Sequence, residues 1–207
     1  EGEALTRCGF AAIIGAPNAG KSTLTNRLVG AKVSIVTQKV QTTRFPVRGV
    51  AIAGEAQIVL VDTPGIFQPR RRLDRAMVRA AWGGAEDADA IVHLVDVAAE
   101  IAAGTRDGKA ADRRAAADVE SIVAGLKAAG KTAILALNTI DAVKRDQLLA
   151  LSQRLFEAGV YSEVFMISAS TGSGVDDLKA RLAQLMPEGP WLYPADQTAD
   201  LPARLLA

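Results

Sequence analysis

Apolar runs alternate with amphipathic stretches along the chain, and their periods separate two kinds of element. "GFAAIIG" (9–15), "VRGVAIAG" (47–54), "AQIVLVD" (56–62), "DAIVHLVDV" (89–97), "KTAILALN" (131–138) and "SEVFMIS" (162–168) are short and almost continuously apolar, which predicts buried strands. "GKSTLTNRLVG", "DRRAAADVESIVAGLKAAG", "AVKRDQLLALSQRLFEAG" and "GVDDLKARLAQLM" repeat apolar residues at helical spacing. Only Gly54 and Glu55 separate the second and third strands, so these two form an antiparallel hairpin. The remaining strands need crossovers, which makes most of the sheet parallel and covers both its faces. The expected fold is α/β, in three layers: a six-stranded, mostly parallel sheet with one antiparallel edge strand, and helices on both faces. Such sheets bind ligands at the carboxyl ends of their strands. The loops after Gly15, Asp62, Asn138 and Ser168 should therefore share one edge.

Three stretches break the alternation. Residues 31–46 are long and polar and fit no element. Residues 98–111, "AAEIAAGTRDGKAA", are rich in Gly and Ala and read as a mobile surface loop. After Met186 the prolines at 187, 190, 194 and 202 argue for a linker or extended tail, with Trp191 and Tyr193 packing back on the domain.

Composition narrows the class. The chain has 207 residues, 49 % apolar and 23 % charged, enough for one well-cored domain with a short appendage. A net charge of +1 gives no clustered excess of Lys and Arg for a nucleic-acid surface. The single cysteine, Cys8, reads as a small buried residue at a strand start and suits a reducing compartment. With no membrane-length apolar run and no secretory pattern at the N-terminus, a soluble intracellular protein is expected. His93, inside an apolar strand, reads as a core or edge histidine rather than a general base.

Chemistry enters at "GAPNAGKS". Gly15, Gly20, Lys21 and Ser22 match G-x-x-x-x-G-K-[ST]. The glycines let successive N–H groups turn toward a β-phosphate, and a helix starting near Gly20 adds its positive end. Lys21 can bridge β- and γ-phosphate oxygens, and the Ser22 hydroxyl can ligate Mg²⁺. "VDTPG" ends another strand, where Asp62 can hold Mg²⁺ through water and the Gly65 N–H can meet a γ-phosphate. In "LNTID", Asp141 can accept from both N1–H and the exocyclic amine of guanine. Adenine lacks that pair of donors, and a buried carboxylate left unpaired would reject it. Asn138 can bond the purine N7/O6 edge and tie loops together, and "ISAS" can offer the Ala169 N–H to guanine O6.

These four loops resemble the G motifs of the GTPase superfamily. "GAPNAGKSTLTNRLVGAKVSIVTQKVQTTR", "VDTPGIFQPRRRLDRAMVRAAW" and "YPADQTAD" resemble the Era-type GTPases from about Gly9 onward. The resemblance implies GTP and GDP as ligands, with Mg²⁺ and K⁺. It places the nucleotide against Gly15, Ala16, Pro17, Asn18, Ala19, Gly20, Lys21, Ser22 and Thr23, against Asp62, Thr63, Pro64, Gly65 and Ile66, against Asn138, Thr139, Ile140 and Asp141, and against Ser168, Ala169 and Ser170. Ser22, Thr43 and Asp62 become the Mg²⁺ set, with Thr42 the less favoured neighbour of Thr43. Lys21, Thr43, Gly65 and Asn18 take the catalytic roles, Asn18 as the K⁺ ligand. Ile66 stands where Ras-like enzymes orient water with glutamine, so slow intrinsic turnover is expected. Arg70, Arg71, Arg72, Arg75 and Arg79 fall in switch II and read as a solvated helix face rather than an rRNA contact.

One position departs from the pattern. Thr139 replaces the usual lysine of Asn-Lys-x-Asp and is too short to cover the base. Guanine selectivity should survive, with affinity lowered by about 1–2 kcal/mol. The resemblance also implies an Era-type G domain over 1–187 and a tail over 188–207 leading toward a KH domain that this chain lacks. The implied role is in 30S subunit assembly and 16S rRNA maturation, in the cytoplasm. The full-length protein would also associate peripherally with the inner membrane, and the present chain would be monomeric with weak RNA binding of its own. Two alternatives stay open: a GTPase of another apolar-substituted group, as in tRNA modification or the double-G-domain assembly factors, or a nucleotide-binding module with impaired hydrolysis.

Overall fold

The computed structural model describes residues 5–30, 47–62 and 88–193. Six strands form one sheet in the order β2-β3-β1-β4-β5-β6. They are β1 (Arg7–Gly15), β2 (Val47–Ala53), β3 (Ala56–Asp62), β4 (Ala90–Asp96), β5 (Ala133–Asn138) and β6 (Tyr161–Met166). Every pairing is parallel except β2 with β3, the expected hairpin at one edge. Among the described residues, five α-helices accompany them: α1 (Lys21–Val29), α2 (Val97–Ala103), α3 (Ala110–Ala129), α4 (Arg145–Phe156) and α5 (Val175–Leu185).

The helices cover both faces because each carries one apolar stripe. Leu24 and Leu28 of α1 and Val175, Leu178 and Leu182 of α5 pack on Ile13, Ile58, Leu60, Val92, Leu94 and Ile134. On the opposite face, Val119, Ile122 and Leu126 of α3 and Leu148, Leu151 and Leu155 of α4 pack on Ile14, Ile91, Val95, Leu135 and Leu137. His93 lies on this second face, fully buried, with Nδ1 2.8 Å from Tyr161 Oη. Burial lowers its pKa to about 3, so it stays neutral. Of the two readings its apolar strand allowed, core or edge, it is a core histidine.

Residues 98–111 depart from expectation. The first half is α2, and α3 starts at Ala110. Asp96 is the reason: its Oδ1 accepts from the Ala98 and Ala99 N–H groups and caps α2. The alanines that follow have the highest helix propensity, so a run that reads as a loop coils once capped.

The segment after Met186 lies against the sheet. Gln57 is fully buried on β3; its Nε2 donates to Tyr193 O at 2.8 Å and its Oε1 accepts from the Leu192 and Tyr193 N–H groups at 3.1 Å. Trp191 Nε1 donates to Glu55 O. Trp191 and Tyr193 therefore pack back, as expected. β4 reaches only the second half of β1, from Ala11 to Gly15. Beside the first half run residues 187–189: Cys8 N donates to Pro187 O, Gly189 N to Thr6 O, and Thr6 Oγ1 to Gly189 O. Cys8 is half-buried at this seam, and burial pushes its thiol pKa up.

Candidate functional site

Four strand ends meet along the predicted edge. β1 lies between β3 and β4, the point where strand order reverses, so the loop after Gly15 opens into the crevice such sheets leave for ligands. The loop turns tightly, with Ala19 N donating to Ala16 O at 3.1 Å. Asn18 sits exposed in the left-handed region at φ 68°. Gly20 follows at φ 102° and starts α1. Both motif glycines are required by contact. A Cβ on Gly20 would lie 2.6 Å from Asn138 Nδ2, and one on Gly15 would lie 2.7 Å from Leu94 O.

The N-terminus of α1 has no acidic residue in its first turn, so the positive end of the helix is uncompensated from within. Lys21, Ser22, Thr25, Asn26 and Arg48 line a polar cleft of about 370 Å³ beside it. Pro17, Ser22 and Thr23 are exposed, whereas Ala16 and Ala19 are buried supports. The backbone of Asp62 ends β3 opposite Ile13. Its side chain, together with Thr42, Thr43, Thr63, Pro64, Gly65, Ile66 and the arginines at 70, 71, 72, 75 and 79, lies outside the described residues.

Asn138, only 4 % exposed, is the roof of the site. Nδ2 donates to Ala19 O and Oδ1 accepts from Ala169 N, each at 2.9 Å, so one carboxamide joins the loops after β1, β5 and β6. The Ala169 N–H, expected to face guanine O6, thus already serves Asn138. The loop from Ser168 to Ser170 is fixed further from within. Ser168 Oγ lies 3.2 Å from Ser170 Oγ, and Ser168 N donates to Ser173 O. Arg27 holds it from below, donating from Nε to Ala169 O and from Nη2 to Ser170 O. Nothing in the sequence around Arg27 marks this function; it emerges only when α1 crosses under the loop.

The loop after β5 forms a single 3₁₀ turn, Ile140–Ala142, with Asp141 in it. Asp141 is exposed, not buried as expected. A three-residue turn at the rim cannot cover its own side chain, so the penalty against adenine arises only once a base shields the carboxylate. Thr139 precedes the turn at φ 66°, with Oγ1 2.9 Å from Asp96 Oδ1 and 2.6 Å from Asn138 O.

A second cavity, of about 130 Å³, lies between the phosphate loop and α2 and α3, lined by Asn18, Asp96, Glu100 and Asp112 among others. Burial pushes the Glu100 carboxyl pKa up, Arg154 at 3.1 Å opposes that, and Glu120 adds to it. Among the described residues no three His, Cys, Asp or Glu side chains converge to hold a metal. A magnesium ion shared with phosphate oxygens and water needs fewer protein ligands, and the exposed Ser22 hydroxyl suits that mode. No described helix is long and apolar enough to cross a membrane.

Comparison with known proteins identifies the family. The profile of the family described as 50S ribosome-binding GTPase matches residues 10–139. GTPase Era of Caulobacter vibrioides is 73 % identical over 202 residues, covering 98 % of this chain and 64 % of the relative. The chain thus spans about two thirds of the length of that relative. A crystal structure of Aquifex aeolicus Era bound to GDP·AlF4⁻ superposes with a TM-score of 0.64 at 34 % identity, over 97 % of this chain and 64 % of the other. Era in complex with MgGDPNP and nucleotides 1506–1542 of 16S ribosomal RNA gives the same score and identity over 92 % and 61 %. The chain belongs to the 50S ribosome-binding GTPase family and is similar, within it, to the Era proteins.

Proposed function

We propose that the chain is the G domain of an Era-type switch protein, binding GTP and GDP with Mg²⁺ and hydrolysing GTP slowly. The observation that carries the reading is the Asn138 carboxamide, which joins the Gly15–Ser22 loop to the Ser168–Ser170 loop at the sheet's switch point. That arrangement sets a phosphate cradle and a base-receiving loop side by side, as a nucleotide needs.

In this reading Lys21 and the N–H groups at the start of α1 bind the phosphate chain and offset the charge that develops as the γ-phosphoryl group leaves. Ser22, Thr43 and Asp62 would hold Mg²⁺, which would supply positive charge against the phosphate chain. Gly65 offers its N–H to the γ-phosphate, and Thr63, Pro64 and Ile66 belong to the same switch. Asp141 reads the guanine edge, while the Ser168–Ser170 loop and Thr139 border the base. Asn18, exposed and left-handed in the loop, is the K⁺ ligand.

The domain division follows the same reading: a G domain over 1–187 and a tail over 188–207. The full-length protein would act on 16S rRNA in 30S subunit assembly, in the cytoplasm and peripherally at the inner membrane, with RNA read mainly by a KH domain. Support comes from the 73 % identity to Era and from the Era complex with 16S rRNA.

Calorimetric titration with GDP and Mg²⁺, with ADP as control, tests the site. Binding of GDP without ADP is expected; equal binding of both would sink the guanine assignment. Turnover of GTP in KCl and in NaCl tests the chemistry. Faster turnover in KCl is expected. Equal rates would remove the K⁺ role of Asn18, and no turnover in either salt with binding intact would leave a nucleotide-binding module.

A further inference from the structure

The turn that carries Asp141 is only partly secured by packing: Ile140 packs against the core, while Asp141 and Ala142 are exposed. It is three residues long and none of its residues is buried. A single 3₁₀ turn has weak hydrogen-bond geometry and does not hold a shape alone. The residue that starts it, Thr139, is β-branched and left-handed at φ 66°, ψ 37°, a conformation such residues disfavour. Ile140 anchors the middle of the turn, and its strained start at Thr139 needs a support of its own.

The partner is at the end of the neighbouring strand. Asp96 and Asn138 pair across β4 and β5, so the two strands deliver residues 96 and 139 to adjacent places on the site edge. Thr139 Oγ1 lies 2.9 Å from Asp96 Oδ1 and 2.6 Å from Asn138 O, two acceptors for its one hydrogen, of which the carboxylate is the one that comes from another strand. That carboxylate oxygen is not free to wander, because it also accepts from the Ala98 and Ala99 N–H groups as the cap of α2. A hydroxyl donating to a carboxylate is among the stronger hydrogen bonds a side chain makes.

We propose that Asp96 is a positioning residue for the base-reading loop: through the Thr139 hydroxyl it holds Asp141 in the shape that receives guanine. The cap of α2 and the start of the 3₁₀ turn are then one device, and the loop inherits the rigidity of the helix end. This rests on the guanine-nucleotide reading above.

The test compares Thr139→Val, Thr139→Ser and Asp96→Ala in the whole chain, with the double variant Thr139→Val/Asp96→Ala. The readouts are GDP dissociation constants, the preference for GDP over IDP, which lacks the exocyclic amine, and thermal melting of the nucleotide-free protein. Thr139→Val should weaken GDP binding by roughly three- to tenfold, the value of one hydrogen bond, and shrink the GDP/IDP preference. Thr139→Ser should restore both. The double variant should bind GDP no more weakly than Asp96→Ala alone, because the two residues act through one contact. Unchanged GDP affinity in Thr139→Val would overturn the proposal, as would equal losses for GDP and IDP. A parent protein that binds ADP as well as GDP would overturn the guanine reading itself, and this inference with it.

Discussion

Asn138 Nδ2 donates to the Ala19 carbonyl across a separation of 119 residues, and both groups are buried. The same carboxamide accepts from Ala169 N. Replacing Asn138 with Ala strands a buried acceptor and a buried donor together. The expected cost is about 2–4 kcal/mol, read by urea unfolding, with a parallel loss of GDP affinity in calorimetry. Asn138→Asp should be nearly as damaging, because a carboxylate cannot donate to Ala19 O.

Gly20→Ala should lose nucleotide binding while the domain still folds. The added methyl would meet Asn138 Nδ2 at 2.6 Å in a backbone conformation at φ 102°. Destabilisation of at least roughly 1 kcal/mol is expected from the conformation alone. Circular dichroism would report the retained fold, and GDP titration the lost site. Undiminished GDP affinity would show that the loop can open without penalty.

His93 predicts a pH dependence. Its folded pKa, about 3, lies below the ordinary 6.5, so the unfolded chain binds the extra proton between these values. Its contribution to stability is fully present above pH 6.5 and is lost as pH falls toward 3, at up to about 1.4 kcal/mol per pH unit. Glu100 acts in the opposite direction: its raised pKa gives stability that is present below the ordinary carboxylate range and lost as pH rises through the folded value. Unfolding free energies between pH 7 and pH 4 for the parent and for His93→Leu/Tyr161→Phe should differ in slope, the variant being flatter. Removing both ring partners avoids leaving the Tyr161 hydroxyl unpaired. Equal slopes would mean that acid loss of stability comes from other groups.

Gln57→Leu should free the segment from Trp191 to Tyr193. Three backbone groups of Leu192 and Tyr193 lose their partner in a buried setting. A stability loss of about 2–4 kcal/mol is expected, with a change in Trp191 fluorescence as its Nε1 bond to Glu55 loosens. GDP affinity should change little, since Gln57 lies toward the start of β3 and the site lies at the strand ends.

What could be read from the sequence has a period or a local motif. All six strands, the hairpin and the stripes of α1, α3, α4 and α5 follow from the spacing of Val, Ile and Leu, and the Gly15–Ser22 loop follows from its own residues. The features that escaped are contacts across sequence. The alanine run after Asp96 gave no sign of α2, because the cap sits inside what reads as a strand end. Arg27 reaches Ala169 across 142 residues, and Gln57 reaches Tyr193 across 136, with no pattern to mark either. The exposure of Asp141 is hidden from the sequence for a related reason: a residue type declares what it can bind, whereas burial depends on what surrounds it.

The seam between Thr6–Cys8 and Pro187–Gly189 sets an order for synthesis. Thr6 meets Gly189 across 183 residues, and β1 is the strand on which both β3 and β4 assemble. β1 leaves the ribosome before the other described strands, yet its amino-terminal half lacks its second neighbour until residues 187–189 have emerged. Contacts so distant in sequence are slow to close. The loops after β1, β5 and β6 can gather before residues 187–189 emerge, while the far end of the sheet waits with a strand edge unpaired.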